Sequence, residues 1–194
     1  MIRLTTLLCS LALAACASAP APDATPIRDT SFTDAGNSRA IQFSTYLKAT
    51  PEQVYQAVAT VDGWKTWAVP AAFGEAKVGG RMETSYNPVA KAGDAANIQQ
   101  EFIMLAPPRL VVFRTVRTPP GFPNQDLYLQ TVSAIEIAPE GAGARITFTH
   151  SGFGQGPGFD RLYKFFHDGD RLTLEHLKKR FEAGPVDWSK ERAG

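Results

Sequence analysis

The sequence predicts an α+β fold, in which a curved antiparallel sheet of about seven strands wraps around one long C-terminal helix. Residues 158–183 place apolar side chains on one face at helical spacing and charged side chains on the other. Before them, short apolar runs are separated by turns rich in Gly and Pro, and such short links indicate an antiparallel meander. Two short helices are predicted after the first strand.

Residues 1–15 are typical of an export signal. Arg3 precedes an apolar run, residues 4–15, that is too short to cross a bilayer as a helix. The run continues into Leu-Ala-Ala-Cys at 13–16, which resembles the lipobox of bacterial lipoproteins. The resemblance implies cleavage before Cys16 and lipidation there, and several acyl chains would anchor the protein firmly. An ordinary secretory signal that contains a cysteine is the alternative.

Ala17, rather than Asp, follows the predicted lipidated cysteine. The resemblance therefore implies a protein of the bacterial cell envelope, anchored by lipid to the outer membrane and facing the periplasm. Residues 16–38 are rich in Ala, Pro, Ser, Thr and Asp, which predicts a disordered tether after the lipidated residue. Residues 39–188 suit a single domain, and 189–194 are predicted to be a disordered tail.

The composition limits what the mature chain can do. Cys9 and Cys16 are the only cysteines, so the folded part is expected to have no disulfide, no thiol nucleophile and no cysteine metal site. The 20 basic residues include Arg3, so 19 basic and 19 acidic residues remain after cleavage. No basic patch stands out, which argues against nucleic acid as a partner. The oligomeric state is left open.

The domain begins with a strand and a helix. Residues 39–48 alternate apolar and polar side chains, as in a half-buried strand. Thr50 can cap a helix, Pro51 suits its first position, and Gln53 completes a capping box. This helix is expected to end near residue 60. Trp64 and Trp67 follow in a turn or short helix, either as a hydrophobic plug under a loop or as a wall of a ligand cavity.

The remaining strands follow from alternation between turn residues. They are predicted at residues 73–78, 80–87, 97–105, 109–117, 127–138 and 143–151.

Several short motifs occur in a fixed order along the domain. They are ATPEQVY at 49–55, the two tryptophans, GGR at 79–81, residues 101–111 with PPRLV at the end, IEIAP at 135–139, ARITFTHSG at 144–152, and Gly169 with Leu174 and Leu177. Together they resemble the helix-grip fold of the SRPBCC superfamily, which includes START-type domains. The branch most similar is named after the activator of the heat-shock-chaperone ATPase. The resemblance covers residues 39–183.

This resemblance implies a deep cavity between the concave face of the sheet and the last helix. Such cavities often bind lipids, polyketides or other apolar molecules, and some relatives are cyclases, hydrolases or carriers. Relatives often carry Trp after the helix glycine, where this chain has Asp170. A more polar pocket is therefore expected beside the helix.

Asp170 interrupts the apolar stripe of the last helix, and His150 lies on the apolar face of the last strand. The two could form an acid–base pair in one cavity. Alternatively, His150 is an ordinary core histidine and Asp170 caps a kink beside Gly169. An inward Asp170 needs a partner because desolvating a carboxylate is costly, and the candidates are Arg81, Arg114 and His150.

Other catalytic and metal motifs are absent from the sequence. The glycines and serine at 150–154 follow a strand into a turn and do not form a nucleophile elbow. The histidines lack metal-ligand spacing, and there is no phosphate-binding or dinucleotide motif. We therefore expect neither a metal nor a cofactor.

The sequence thus predicts a membrane-anchored protein that binds a small, mostly apolar molecule, such as a lipid, polyketide or isoprenoid-like compound. The expected ligand contacts are Trp64, Trp67, Arg81, Phe113, Phe148, His150, Phe166, Asp170, Thr173 and Leu177. The alternative is a cyclase- or hydrolase-type enzyme that uses Asp170 and His150 in the same cavity. A third hypothesis is an interaction module that docks a protein partner.

Overall fold

The structure, a computed structural model, describes residues 26–190. The predicted signal peptide, the lipidation site at Cys16, the first part of the predicted tether and residues 191–194 lie outside the described residues.

Within residues 26–190, nine antiparallel strands form one sheet. They are β1 (Arg28–Asp29), β2 (Phe32–Thr33), β3 (Arg39–Leu47), β4 (Ala71–Gly74), β5 (Arg81–Ser85), β6 (Ile98–Ala106), β7 (Leu110–Arg117), β8 (Val132–Glu140) and β9 (Gly143–Phe153). Their spatial order is β1-β3-β9-β8-β7-β6-β5-β4, and β2 also pairs with β3. Strands β4 to β9 form a meander, and β3 pairs with β9 at one edge of it. The first long strand is therefore the neighbour of the last.

Four helices complete the described fold. They are α1 (Pro51–Val58), α2 (Val61–Trp64), α3 (Gln125–Tyr128) and α4 (Pro157–Ala183). The predicted capping box is present at α1, where Thr50 Oγ1 accepts from the Gln53 amide at 3.3 Å and Gln53 Oε1 accepts from the Thr50 amide at 2.9 Å. The α+β prediction of a curved antiparallel sheet and a long C-terminal helix is confirmed, and the architecture is the helix-grip fold.

The prediction that residues 16–38 form a disordered tether is wrong for the part that the structure describes. Arg28 and Asp29 pair with Ser44 and Phe43, and β2 pairs with the start of β3. Without these short strands, β3 would be an open sheet edge with unpaired backbone groups. The Asp29 carboxylate also meets His167 on α4 at 2.8 Å. Composition alone predicted disorder because residues 17–38 contain few large apolar side chains.

Two strand boundaries also differ from the prediction. The predicted strand at 127–138 begins only at Val132, because residues 125–128 form α3 after Asn124, which adopts a left-handed φ of 53°. The strand predicted at 73–78 ends at Gly74, whose φ of 98° turns the chain out of the sheet.

The core lies between the concave face of the sheet and the helices α1 and α4. Helix α4 packs on β3 and β9, and α1 packs on β7, β8 and β9. The largest fully buried side chains include Trp67, Phe43, Phe102, Phe153, Ile146 and Leu177. Burying these large side chains supplies the main stabilisation of the domain.

Candidate functional site

At one end of the concave face, the inward positions of five neighbouring strands are polar. Strand alternation points these side chains the same way as the apolar core residues on the same strands. They are Thr84, Gln100, Thr115, Ser133 and His150, all of them buried. Gln100 lies opposite Thr115, and Ser133 lies opposite His150. We call this row, together with Tyr128, Thr131 and Asp170, the polar end.

His150 is held between two elements by both of its ring nitrogens. Its Nδ1 lies 2.9 Å from Asp170 Oδ2 on α4, and its Nε2 lies 2.8 Å from Thr131 Oγ1, just before β8. The Thr131 hydroxyl donates to the backbone oxygen of Tyr128 at 2.8 Å. Asp170 therefore has a partner, and it is His150 among the three predicted candidates.

The hydrogen bonds fix where the protons of this pair lie. Thr131 has one hydroxyl hydrogen, and that hydrogen goes to the carbonyl of Tyr128. Its oxygen must therefore accept from His150, so Nε2 carries a hydrogen. The contact between Nδ1 and Asp170 holds a second proton, on the ring or on the carboxyl group. In both forms the pair has no net charge.

Aromatic rings enclose the pair. His150 meets Phe153 and Phe166 edge-on, at 4.7 and 4.9 Å between ring centroids. Tyr128 packs on Phe166 at 4.4 Å. Among residues 26–190, Asp170 Oδ1 makes no hydrogen bond. This oxygen of the polar end is therefore available to accept a hydrogen bond from a ligand.

Desolvation of its hydroxyl group raises the pKa of Tyr128, and the nearby charge of Asp170 raises it further. A hydrogen bond from Thr115 acts in the opposite direction. Desolvation and the charge of Asp170 also raise the pKa of Tyr86. Since Tyr86 is 71% exposed, we place it at the mouth of the polar end. Both phenols stay protonated and can donate hydrogen bonds at neutral pH.

A small apolar cavity lies under α4, one inward position along β8 and β9 from the polar end. It is lined by Trp67, Ile135, Ile146, Phe148, Thr173, Leu174 and Leu177. The cavity offers about 10 Å³ to the centre of a water-sized sphere, which is room for about one water. In this conformation the cavity is therefore too small for a lipid.

The sequence matches a known family. Residues 48–182 match the family described as "Activator of Hsp90 ATPase homolog 1-like protein" (AHSA1). The chain belongs to this family. No curated protein matches the chain.

Solved structures share the AHSA1 fold. The Aha1 dimer from Colwellia psychrerythraea is 23% identical, with a TM-score of 0.60 over 75% of this chain and 97% of that one. CalU16 from Micromonospora echinospora is 18% identical, with a TM-score of 0.57 over 87% and 93%. MLL2253 from Mesorhizobium loti is also 18% identical, with a TM-score of 0.58 over 76% and 100%. At these identities, the likeness shows the fold alone.

Within the part of this AHSA1-like chain that the structure describes, there is no helix long and apolar enough to cross a membrane. The same residues contain no cluster of three or more His, Cys, Asp or Glu that could hold a metal ion.

The two predicted tryptophans have different positions. Both are buried, and their Nε1 groups donate to carbonyl oxygens of α1, Trp64 to Val58 at 2.8 Å and Trp67 to Ala57 at 2.9 Å. Trp67 lines the cavity, whereas Trp64 packs edge-on against Phe113 at 5.5 Å. Trp67 is thus a wall of the small cavity, and Trp64 is part of the packed core.

Most of the other predicted contacts lie on the concave side, and Arg81 does not. Phe148, Thr173 and Leu177 line the cavity, and Phe166 lies beside His150. Arg81 is exposed and donates to Gln99 Oε1 at 3.1 Å. Alternation along β5 places Met82 and Thr84 inward. Arg81, the first residue of this strand, therefore points outward. The sequence did not reveal this register.

Asp170 lies within α4, which continues from Pro157 to Ala183, and its side chain contacts His150. A side chain at Gly169 would meet nothing within 4 Å, so packing does not explain this glycine. The Thr173 hydroxyl donates to the Gly169 carbonyl at 2.9 Å, a type of bond that tends to bend helices slightly.

The sequence predicts one strand over residues 127–138, and therefore does not indicate Tyr128 and Thr131 as site residues. The run Leu-Tyr-Leu-Gln-Thr at 127–131 lacks the alternation of a strand. That missing alternation was the available signal for a turn at this point, and the turn positions both side chains under His150.

Proposed function

We propose that this protein is a lipid-anchored envelope protein that binds a small, mostly apolar molecule between the concave face of the sheet and α4. One observation carries the proposal. Along α4 the interior is apolar, yet it ends at the only two buried charged side chains of residues 26–190, His150 and Asp170. A buried ion pair is seldom worth more to stability than an apolar pair of similar size. A role in recognising the polar group of a ligand accounts for its presence.

Binding requires α4 to move away from the sheet, because the present cavity holds about one water. The chain offers hinges for this movement. Gly152 and Gly156 precede α4 with φ values of 96° and 102°, and Gly184 follows it at 92°. Arg39 restrains this end of the helix through Asp160 at 2.9 Å and the carbonyl of Gly154 at 2.7 Å. Because its first turn stays tied to β3, α4 would open mainly at its C-terminal end, next to Gly184.

The geometry favours binding over catalysis. Both nitrogens of His150 are engaged, so the ring has no free lone pair with which to act as a general base. The alternative, a cyclase- or hydrolase-type enzyme, would depend on Asp170 Oδ1 alone. A docking role for the surface has no comparable support within the described residues.

The anchor belongs to the same proposal. Ten chain steps separate Cys16 from Pro26, the first described residue. A fully extended chain of this length spans at most about 35 Å. A lipid on Cys16 would therefore keep the domain close to the membrane from which an apolar ligand could come.

Replacing the proposed lipidation site should release the protein. We expect Cys16→Ser to move it from the membrane fraction to the soluble fraction, because the acyl chains that hold it stably need the thiol. Fractionation followed by immunoblotting measures the change. Cys9→Ser, which alters the other cysteine of the same segment, should stay membrane-bound. A Cys16→Ser protein that remains in the membrane fraction would refute the anchor.

Ligand binding can be tested without knowing the natural ligand. Untargeted mass spectrometry of the purified protein should detect a co-purified amphiphile, and N-phenylnaphthylamine should fluoresce on entering the cavity. Thr173→Phe, which places a ring in the cavity lining, should abolish this fluorescence. Leu172→Phe is the matched control, because Leu172 is 52% exposed on the outer face of α4. No co-purified molecule and no fluorescence above that of Thr173→Phe would end the proposal.

A further inference from the structure

Resting on the proposed function, we infer that the polar group of the ligand is a hydroxyl, and that the polar end selects against carboxylates. The ligand class is then a medium-chain or cyclic apolar alcohol, not a free fatty acid. Charge and hydrogen-bond capacity point to the hydroxyl group, and the apolar lining indicates the size of the rest of the ligand.

The polar end has no cation to spare for an anionic ligand. Both ring nitrogens of His150 are already engaged, Nδ1 by Asp170 and Nε2 by Thr131. Arg81 bonds outward to Gln99, and Arg114 bonds to Glu101 at 3.0 Å on the solvent-exposed side. A ligand carboxylate would therefore meet the free oxygen of Asp170 with no compensating charge, which is unfavourable in a poorly solvated site.

A hydroxyl group matches what the polar end leaves open. Asp170 Oδ1 can accept one hydrogen bond. Thr115 Oγ1 donates to the Tyr128 hydroxyl at 2.8 Å, which leaves the phenolic hydrogen of Tyr128 free to donate. The two groups lie near each other, because Phe166 packs on Tyr128 and precedes Asp170 by one helical turn. An alcohol can donate to the carboxylate and accept from the phenol.

The apolar part of the ligand has a defined path. The cavity runs along α4 from the turn after Asp170 to Leu177. At about 1.5 Å per residue, Asp170 and Leu177 lie about 10 Å apart along the helix, and the cavity takes up the last 6 Å or so of that length. A medium-length alkyl chain covers this span, so decanol and decanoate form a matched pair of probes that differ only in the polar group.

The test measures displacement of N-phenylnaphthylamine from the purified protein by each probe, at a pH where decanoate is ionised. We expect decanol to bind about tenfold more tightly than decanoate. In Asp170→Asn the preference should shrink or reverse, because His150 can then pair with the ligand carboxylate. Asp168→Asn, two residues away with an 82% exposed side chain, should keep the preference of the unmodified protein.

A second variant covers the case in which Asp170→Asn does not fold. Tyr128→Phe keeps the ring and removes the donor, so decanol should bind about fivefold more weakly while decanoate is unchanged. Decanoate binding as tightly as decanol to the unmodified protein would overturn the inference and leave the proposed function standing. Displacement by neither probe would overturn both. An unchanged preference in both variants would remove Asp170 and Tyr128 from recognition.

Discussion

Asp170→Ala is expected to lower the free energy of unfolding by about 3 kcal/mol. Within residues 26–190, the substitution removes the only partner of His150 Nδ1, in a site where the histidine is 2% exposed. The remaining bond to Thr131 keeps Nε2 satisfied but provides no compensating charge. Urea denaturation followed by tryptophan fluorescence measures the loss.

Two control variants distinguish the effect of breaking the His150–Asp170 contact from the effect of changing the surface of α4. Asp168→Ala makes the same change on the exposed face of α4 and should cost less than about 0.5 kcal/mol. Replacing both partners, with His150→Leu and Asp170→Leu together, should recover much of the stability because no uncompensated charge is left buried. If Asp170→Ala were as mild as Asp168→Ala, the carboxylate would not be buried against the histidine in solution.

The sequence was sufficient to predict the elements that depend on local periodicity. Apolar spacing predicted α4 and singled out Asp170 on its buried face, and alternation predicted that His150 points inward. A general cost, the desolvation of an unpaired carboxylate, then predicted a partner for Asp170. The contact at 2.9 Å has this physical origin.

The features that the sequence could not predict depend on open backbone groups of neighbouring strands or on fine packing. The strands β1 and β2 exist because β3 leaves backbone groups open, and no local pattern encodes that. The orientation of Arg81 depends on where β5 begins. The cavity volume depends on how closely α4 approaches the sheet, and family resemblance predicted a deep cavity where the structure has room for about one water.

Trp67→Ala is expected to have the largest effect on stability, a loss of about 4 kcal/mol in the free energy of unfolding. Trp67 is 2% exposed, its Nε1 donates to Ala57 of α1, and its ring is one wall of the cavity under α4. Removing the ring leaves the Ala57 carbonyl without this donor and enlarges the cavity. Urea denaturation measures the loss.

Trp188→Ala is the matched control for this substitution. Trp188 is only partly buried and donates its Nε1 hydrogen to the backbone oxygen of Lys65 at 2.6 Å, so its replacement should cost about 1 kcal/mol. The enlarged cavity has a second consequence. N-phenylnaphthylamine should raise the melting temperature of Trp67→Ala more than that of the unmodified protein, since a ligand stabilises the state that holds it. A loss no greater than that of Trp188→Ala, with no added stabilisation by the probe, would mean that Trp67 does not close the space that α4 covers.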